Sequence, residues 1–275
     1  MFSNKYFSML LSTGGASLIT FLSYPLLAIL YSMESFGYLG VISAYSLIIS
    51  TLILLRFDYF MLSAKNNFVV RKYLLIAIFL SVLFFIVSFS IGLVYFTLYQ
   101  NTVLIYIAIL STLLACYNAL TFYFIAINKI KHVNITKLIR ALSILLFQLV
   151  IFFFFDDSNG LVLGLILGMF ISCLYLLFYA FADLYILVKQ LKRKQIHFVI
   201  YITKTIISRF PDIKLQLPQT GLNSITNNGM PIVFEMLFGL KIAGAILLVE
   251  KIIKMPIGII VDTLRPILIK DFALM

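Results

Sequence analysis

From Tyr73 to Asn128 the chain runs 56 residues without one Asp, Glu, Lys or Arg. Any element built from that run is apolar on every face, which a water-facing domain cannot hide. About 20 helical residues rising about 1.5 Å each cross a hydrocarbon core of about 30 Å. The run is therefore long enough for two membrane spans, with the polar pair Gln100-Asn101 near its middle as the turn. The rest of the chain agrees, being 63% hydrophobic and 11% charged, against about 25% charged in ordinary soluble domains. A soluble enzyme is excluded, and unbroken apolar runs in place of alternating ten-residue segments exclude an outer-membrane barrel. The fold class expected is all-α, a polytopic membrane helix bundle.

The other spans follow from the charges that separate them. Residues 6–33 and 35–55 give the first two, the 56-residue run the third and fourth. A fifth ends at Asp156-Asp157-Ser158-Asn159-Gly160, a turn cluster rather than a pair of catalytic carboxylates. Residues 161–182 give a sixth, and 212–237 and 242–270 a seventh and eighth. Between them, 189–211 reads as a basic cytoplasmic linker, which divides the chain into a six-helix lobe (1–188) and two further helices (212–275). The first run, with Gly14-Gly15 and one preceding lysine, is too long for a signal peptide.

Basic residues test this count independently, because cytoplasmic loops collect Lys and Arg. Alternating the segments places sixteen Lys and Arg on one side and one on the other. A plasma (inner) membrane protein of about eight spans with a cytoplasmic N-terminus is expected, and the net charge of +11 reflects orientation rather than nucleic acid. Tyr31, Tyr38, Tyr95 and Tyr99 are expected in the interface belts. Cys116 and Cys173 lie inside apolar runs, with neither a disulfide framework nor a metal-ligand spacing, and no cofactor is called for.

A shift of 207 residues lays Thr13-Gly14-x-x-Ser17 on Thr220-Gly221-x-x-Ser224, Leu30 on Leu237 and Gly37 on Gly244. The seventh segment thus repeats the first in parallel topology, and such repeats place a substrate site at their interface. Two of six repeated helices are present, so the chain is expected to be truncated or a fragment.

Two stretches resemble the polysaccharide or O-antigen flippases (Wzx-like) of the multidrug/oligosaccharidyl-lipid/polysaccharide exporter superfamily. In Gly14 to Phe60 these are Pro25 and the loop Glu34-Ser35-Phe36-Gly37-Tyr38. In the second they are Arg209-Phe210-Pro211, Leu217-Pro218, Leu222-Asn223-Ser224, Met230-Pro231, Phe238-Gly239, Ala243-Gly244 and Met255-Pro256. The resemblance implies two six-helix lobes around a central cavity. It also implies a non-enzymatic transporter that moves undecaprenyl-diphosphate-linked oligosaccharide for surface polysaccharide assembly, with polysaccharide assembly proteins as further partners. A chain that stops inside the second lobe is then expected to be inactive alone. A multidrug or cation exporter of the same superfamily, and a membrane glycosyltransferase or polymerase, are the alternatives.

Candidate site residues follow from charge inside apolar segments. Lys251, Lys254, Asp262 and Arg265 fall at i, i+3, i+11 and i+14, on one helix face. Facing lipid, each would cost about 2.5–3.5 kcal/mol on insertion scales, so the face is expected toward protein or a basic cavity suited to a diphosphate. Pairing of Glu250 with Lys254 and snorkelling of Arg265 is the alternative. Gln216, Thr220, Asn223 and Asn227 form a polar stripe suited to sugars or to helix-helix hydrogen bonds, and Thr13, Ser17, Thr20 and Tyr24 repeat it. Arg56 and Asp58 close the second span, either at the cavity mouth or as a local ion pair. Asp58, Glu250 and Asp262 are the carboxylates available for ion coupling. Arg140 is expected to anchor a helix at the inner surface, and His132 and His197 to be solvated loop residues. Leu217-Pro218-Gln219-Thr220-Gly221 matches a sorting motif and Asn134-Ile135-Thr136 a glycosylation site, both by coincidence of position.

Overall fold

The computed structural model describes residues 4–64, 66–155, 159–193 and 198–274. They form α1 (Asn4–Leu30), α2 (Met33–Ile53), α3 (Phe57–Leu62), α4 (Asn67–Tyr99), α5 (Val103–Ala126), α6 (Ile130–Phe155), α7 (Gly160–Arg193), α8 (Phe198–Asn228), α9 (Met230–Phe238) and α10 (Leu240–Leu274). The fold is an all-α membrane helix bundle. Six helices, α1, α2 and α4–α7, are long and apolar enough to cross a membrane. With 31 and 35 residues α8 and α10 have the length as well, but carry more charge.

The expected boundaries hold where local chemistry is strong. Gln100 takes a left-handed conformation at the end of α4 (φ 54°), and the Asn101 side chain accepts from the Val103 N–H at 3.0 Å to start α5. Ser32 caps α2 by accepting from Ser35 N–H at 3.2 Å. Two boundaries differ. The seventh expected segment is divided at Gly229, and α9 begins with Pro231 in its first turn, where a missing N–H costs nothing. Most of the expected linker is helix: 189–193 ends α7 and 198–211 begins α8, while 194–197 lies outside the described residues, as do Asp156, Asp157, Ser158 and the His197 side chain.

Close helix contacts are made by glycine. On α7, Gly160, Gly164 and Gly168 form one stripe. A Cβ at Gly164 would lie 2.7 Å from the Gln148 nitrogen of α6, and one at Gly168 2.6 Å from that of Ile144. Backbones this near exclude lipid and gain dispersion contact along the pair. At one end of the stripe Tyr31 lies buried and donates to the Gln148 carbonyl at 2.7 Å. It is thus a packing residue rather than a belt residue, whereas Tyr99 is exposed.

The weak 207-residue repeat acquires a geometry. Helices α2 and α10 begin at the equivalent residues Met33 and Leu240. A Cβ at Gly37 would strike the Leu240 carbonyl, and a Cβ at the equivalent Gly244 would strike the Met33 carbonyl. Gly40 in turn faces Leu247, its own equivalent. Each contact maps onto its partner when the copies are exchanged, as at a two-fold axis. In the same sense α1 packs on α10, and α8 with α9 on α2.

Candidate functional site

Contacts between helix ends define a basic end of the bundle. There Asp183 of α7 accepts from Arg71 of α4 at 2.5 Å and from the Tyr123 hydroxyl of α5 at 2.9 Å, with Lys129 3.8 Å away. Beside this cluster Arg209 donates to the Tyr73 hydroxyl at 3.1 Å and pairs with Asp212 at 3.3 Å, and Lys72 lies 4.5 Å above the Tyr201 ring. These side chains join α8 to α4. Of this network the sequence marks only the basic excess, because all its partners but the local pair Arg209 and Asp212 lie 54 to 136 residues apart and leave no local pattern.

The expected site residues divide into three groups. Arg56 sits in a left-handed conformation (φ 68°) ahead of α3. Its Nε donates to Gln216 of α8 at 3.4 Å and its guanidinium covers the Tyr59 ring at 3.6 Å. That brings the end of α2 to the polar stripe of α8. Asp58 is half-buried in the first turn of α3. On α8 the Thr220 hydroxyl donates to its own helix, to the Gln216 carbonyl at 2.8 Å. Asn227 donates to Asn223 at 3.5 Å, and both are exposed. On α10 Lys251 is exposed and Glu250 half-buried, while Gly244 on the same stripe is buried against α2. Lys254, Asp262 and Arg265 fall on α10, and their side chains lie outside the described residues. Among the described residues no group of His, Cys, Asp or Glu could hold a metal ion.

The expectations for His132 and Arg140 are corrected. His132 is not a solvated loop residue: it lies in the first turn of α6, half-buried, with its ring 4.3 Å from that of Tyr179 and 5.3 Å from that of Phe124. Asn134 is buried and donates to Ser8 of α1 at 2.8 Å, so the apparent glycosylation site is a helix contact. Arg140 does not sit at a helix end. Ten residues into α6, about 15 Å along it, its guanidinium lies 4.8 Å from the Tyr117 ring of α5. One turn earlier Lys137 is buried and donates to Thr13 of α1 at 2.7 Å.

Comparison with family models, curated proteins and solved structures gives no match. The functional reading therefore rests on the residues themselves.

Proposed function

We propose that this protein moves diphosphate-linked lipid oligosaccharides across the membrane for surface polysaccharide assembly. The observation that carries the reading is the exchange-symmetric crossing of α2 and α10 at Gly37 and Gly244. Carriers built on repeats rock one bundle against another around a site at the repeat interface. The first two helices of each copy meet here in that relation. From the crossing, Lys251 lies about 10 Å along α10, while Arg56 with Gln216 lies at the far end of α2, and the amides Asn223 and Asn227 are exposed on α8. Amides and hydroxyls suit sugars, and guanidinium and ammonium groups suit phosphate oxygens.

The test uses a strain deprived of its own translocase, with this protein expressed from its full reading frame. Surface polysaccharide should return, and Lys251→Ala with Lys254→Ala should lower it more than the two arginine replacements at equal protein level. Undiminished polymer from the double alanine variant takes both lysines out of the mechanism, and no polymer from the wild type overturns the reading.

A further inference from the structure

Among the described residues, the interior of the six-helix bundle holds a cation that no carboxylate answers. Arg140 is half-buried, with its guanidinium over the Tyr117 ring, and Cys173 of α7 lies within reach of its charge. It thus faces α5 from α6, with α7 packed against both helices. Tyr117 lies nine residues before the end of α5 and Arg140 ten after the start of α6. The pair therefore sits about 13–15 Å above the α5–α6 turn, beyond what a snorkelling side chain spans to the surface. The described residues of these three helices contain one carboxylate, Asp183. It lies ten residues past Cys173 and is taken by Arg71 and Tyr123. The next cation on α6, Lys137, adds positive charge rather than cancelling it. An isolated charge at such depth is costly unless something negative meets it.

Two hydroxyls face the same shortage of partners. Tyr117 is 4% exposed and its hydroxyl makes no hydrogen bond among the described residues, and neither does that of Thr121, one turn along α5. The guanidinium, 4.8 Å from the Tyr117 ring centroid, carries five N–H donors in a planar fork, and an aromatic ring satisfies none of them as an acceptor oxygen would. A planar fork of donors near the unpaired Tyr117 hydroxyl, with that of Thr121 one turn along the same helix, matches tetrahedral oxyanions better than a point charge does.

We propose that Arg140, Tyr117 and Thr121 form a binding site for phosphate oxygens inside the bundle of α5, α6 and α7. The site deepens the proposed transport function, on which it rests for its source of phosphate, the diphosphate of a lipid-linked glycan. Free pyrophosphate offers the same chemistry without the lipid, so both serve as probes.

The purified chain, in nanodiscs of uncharged lipid, is titrated calorimetrically with inorganic pyrophosphate and with farnesyl diphosphate. Arg140→Gln should weaken the observed binding at least about tenfold and Tyr117→Phe several-fold, as loss of charge-assisted bonds does. Lys131→Gln, at an exposed lysine of the basic end, should bind as the wild type does. Binding of both probes shows that the phosphate group suffices, and binding of farnesyl diphosphate alone assigns the site to a membrane-borne ligand. Failure of the wild type to bind either probe, or wild-type affinity in Arg140→Gln, overturns the proposal. Should that variant not fold, unchanged binding in both Arg140→Lys and Tyr117→Phe does so. Neither probe carries sugar, so failure here leaves the polysaccharide test to decide the transport reading separately.

Discussion

Asp183 shows how one carboxylate can order the basic end of the bundle. Its side chain is 14% exposed and joins Arg71 of α4 with Tyr123 of α5, so three helices share one anion. Replacing Asp183 by Ala strands the partly buried Arg71, and breaking a buried pair from one side is worth more than the pair itself. The loss of stability should be about 2–3 kcal/mol, read from thermal unfolding in detergent. Lys129→Ala should cost less than about 1 kcal/mol, because that ammonium is 3.8 Å away and 53% exposed. Equal losses from the two variants would contradict the arrangement. Residue by residue, the sequence is a poor guide to such clusters: Asp183 reads as a helix-end charge until the fold brings Arg71, 112 positions earlier, against it. Lys137 and Arg140 suffer the same ambiguity, since a cation ten residues into an apolar segment and a cation at its mouth differ only by where the helix starts.

Between elements, glycine sets the distances. Methyl groups at Gly37 or Gly244 would meet backbone carbonyls, which cannot rotate away. Gly37→Val and Gly244→Val should each push α10 off α2 and expose the chain beyond residue 240 to protease, at the upper end of the about 1–3 kcal/mol typical of overpacking. Gly14, where an added Cβ would meet nothing within 4 Å, is the control: Gly14→Val should leave the digestion pattern unchanged. Cleavage at the wild-type rate in the Gly244 variant would remove this crossing from the account of the fold. The spans themselves were legible, because a lipid-facing helix must be apolar for about 20 residues whatever it packs on. The helix across 198–211 was hidden by its charge. Its buried positions Ile202 and Thr205, with Ile213 just beyond it, recur at helical spacing, but lysines and arginines between them give the composition of a linker. The Gly160, Gly164, Gly168 stripe was present in the sequence as small residues every fourth position, the signature of close helix packing in membranes.

For the whole molecule, the ion pairs among the described residues gather at one end, and the sequence supplies the rule that orients it. Contacts of Arg71 and Lys129 with Asp183 lie toward the end where α1 begins and α2, α5 and α7 finish, and that of Lys137 with Thr13 lies about 10 Å along α6 from its start there. The opposite end holds the uncharged Gln100-Asn101 turn and the start of α7. Basic residues are retained on the cytoplasmic side, so the end with Lys131 should face inward and Asn101 outward. Substituting cysteine at each position, in a background of Cys116→Ala and Cys173→Ala, allows a direct reading with a membrane-impermeant thiol reagent. Both native thiols lie among the helices, Cys173 at 3% exposure with its sulfur donating to the Leu113 carbonyl, so their removal should leave the bundle intact. In whole cells the reagent should label Asn101→Cys and spare Lys131→Cys until the membrane is opened. The reverse pattern would invert the chain in the membrane. It would also turn the Arg140 site, about 15 Å from the basic end, toward phosphates arriving from outside rather than from the cytoplasmic leaflet.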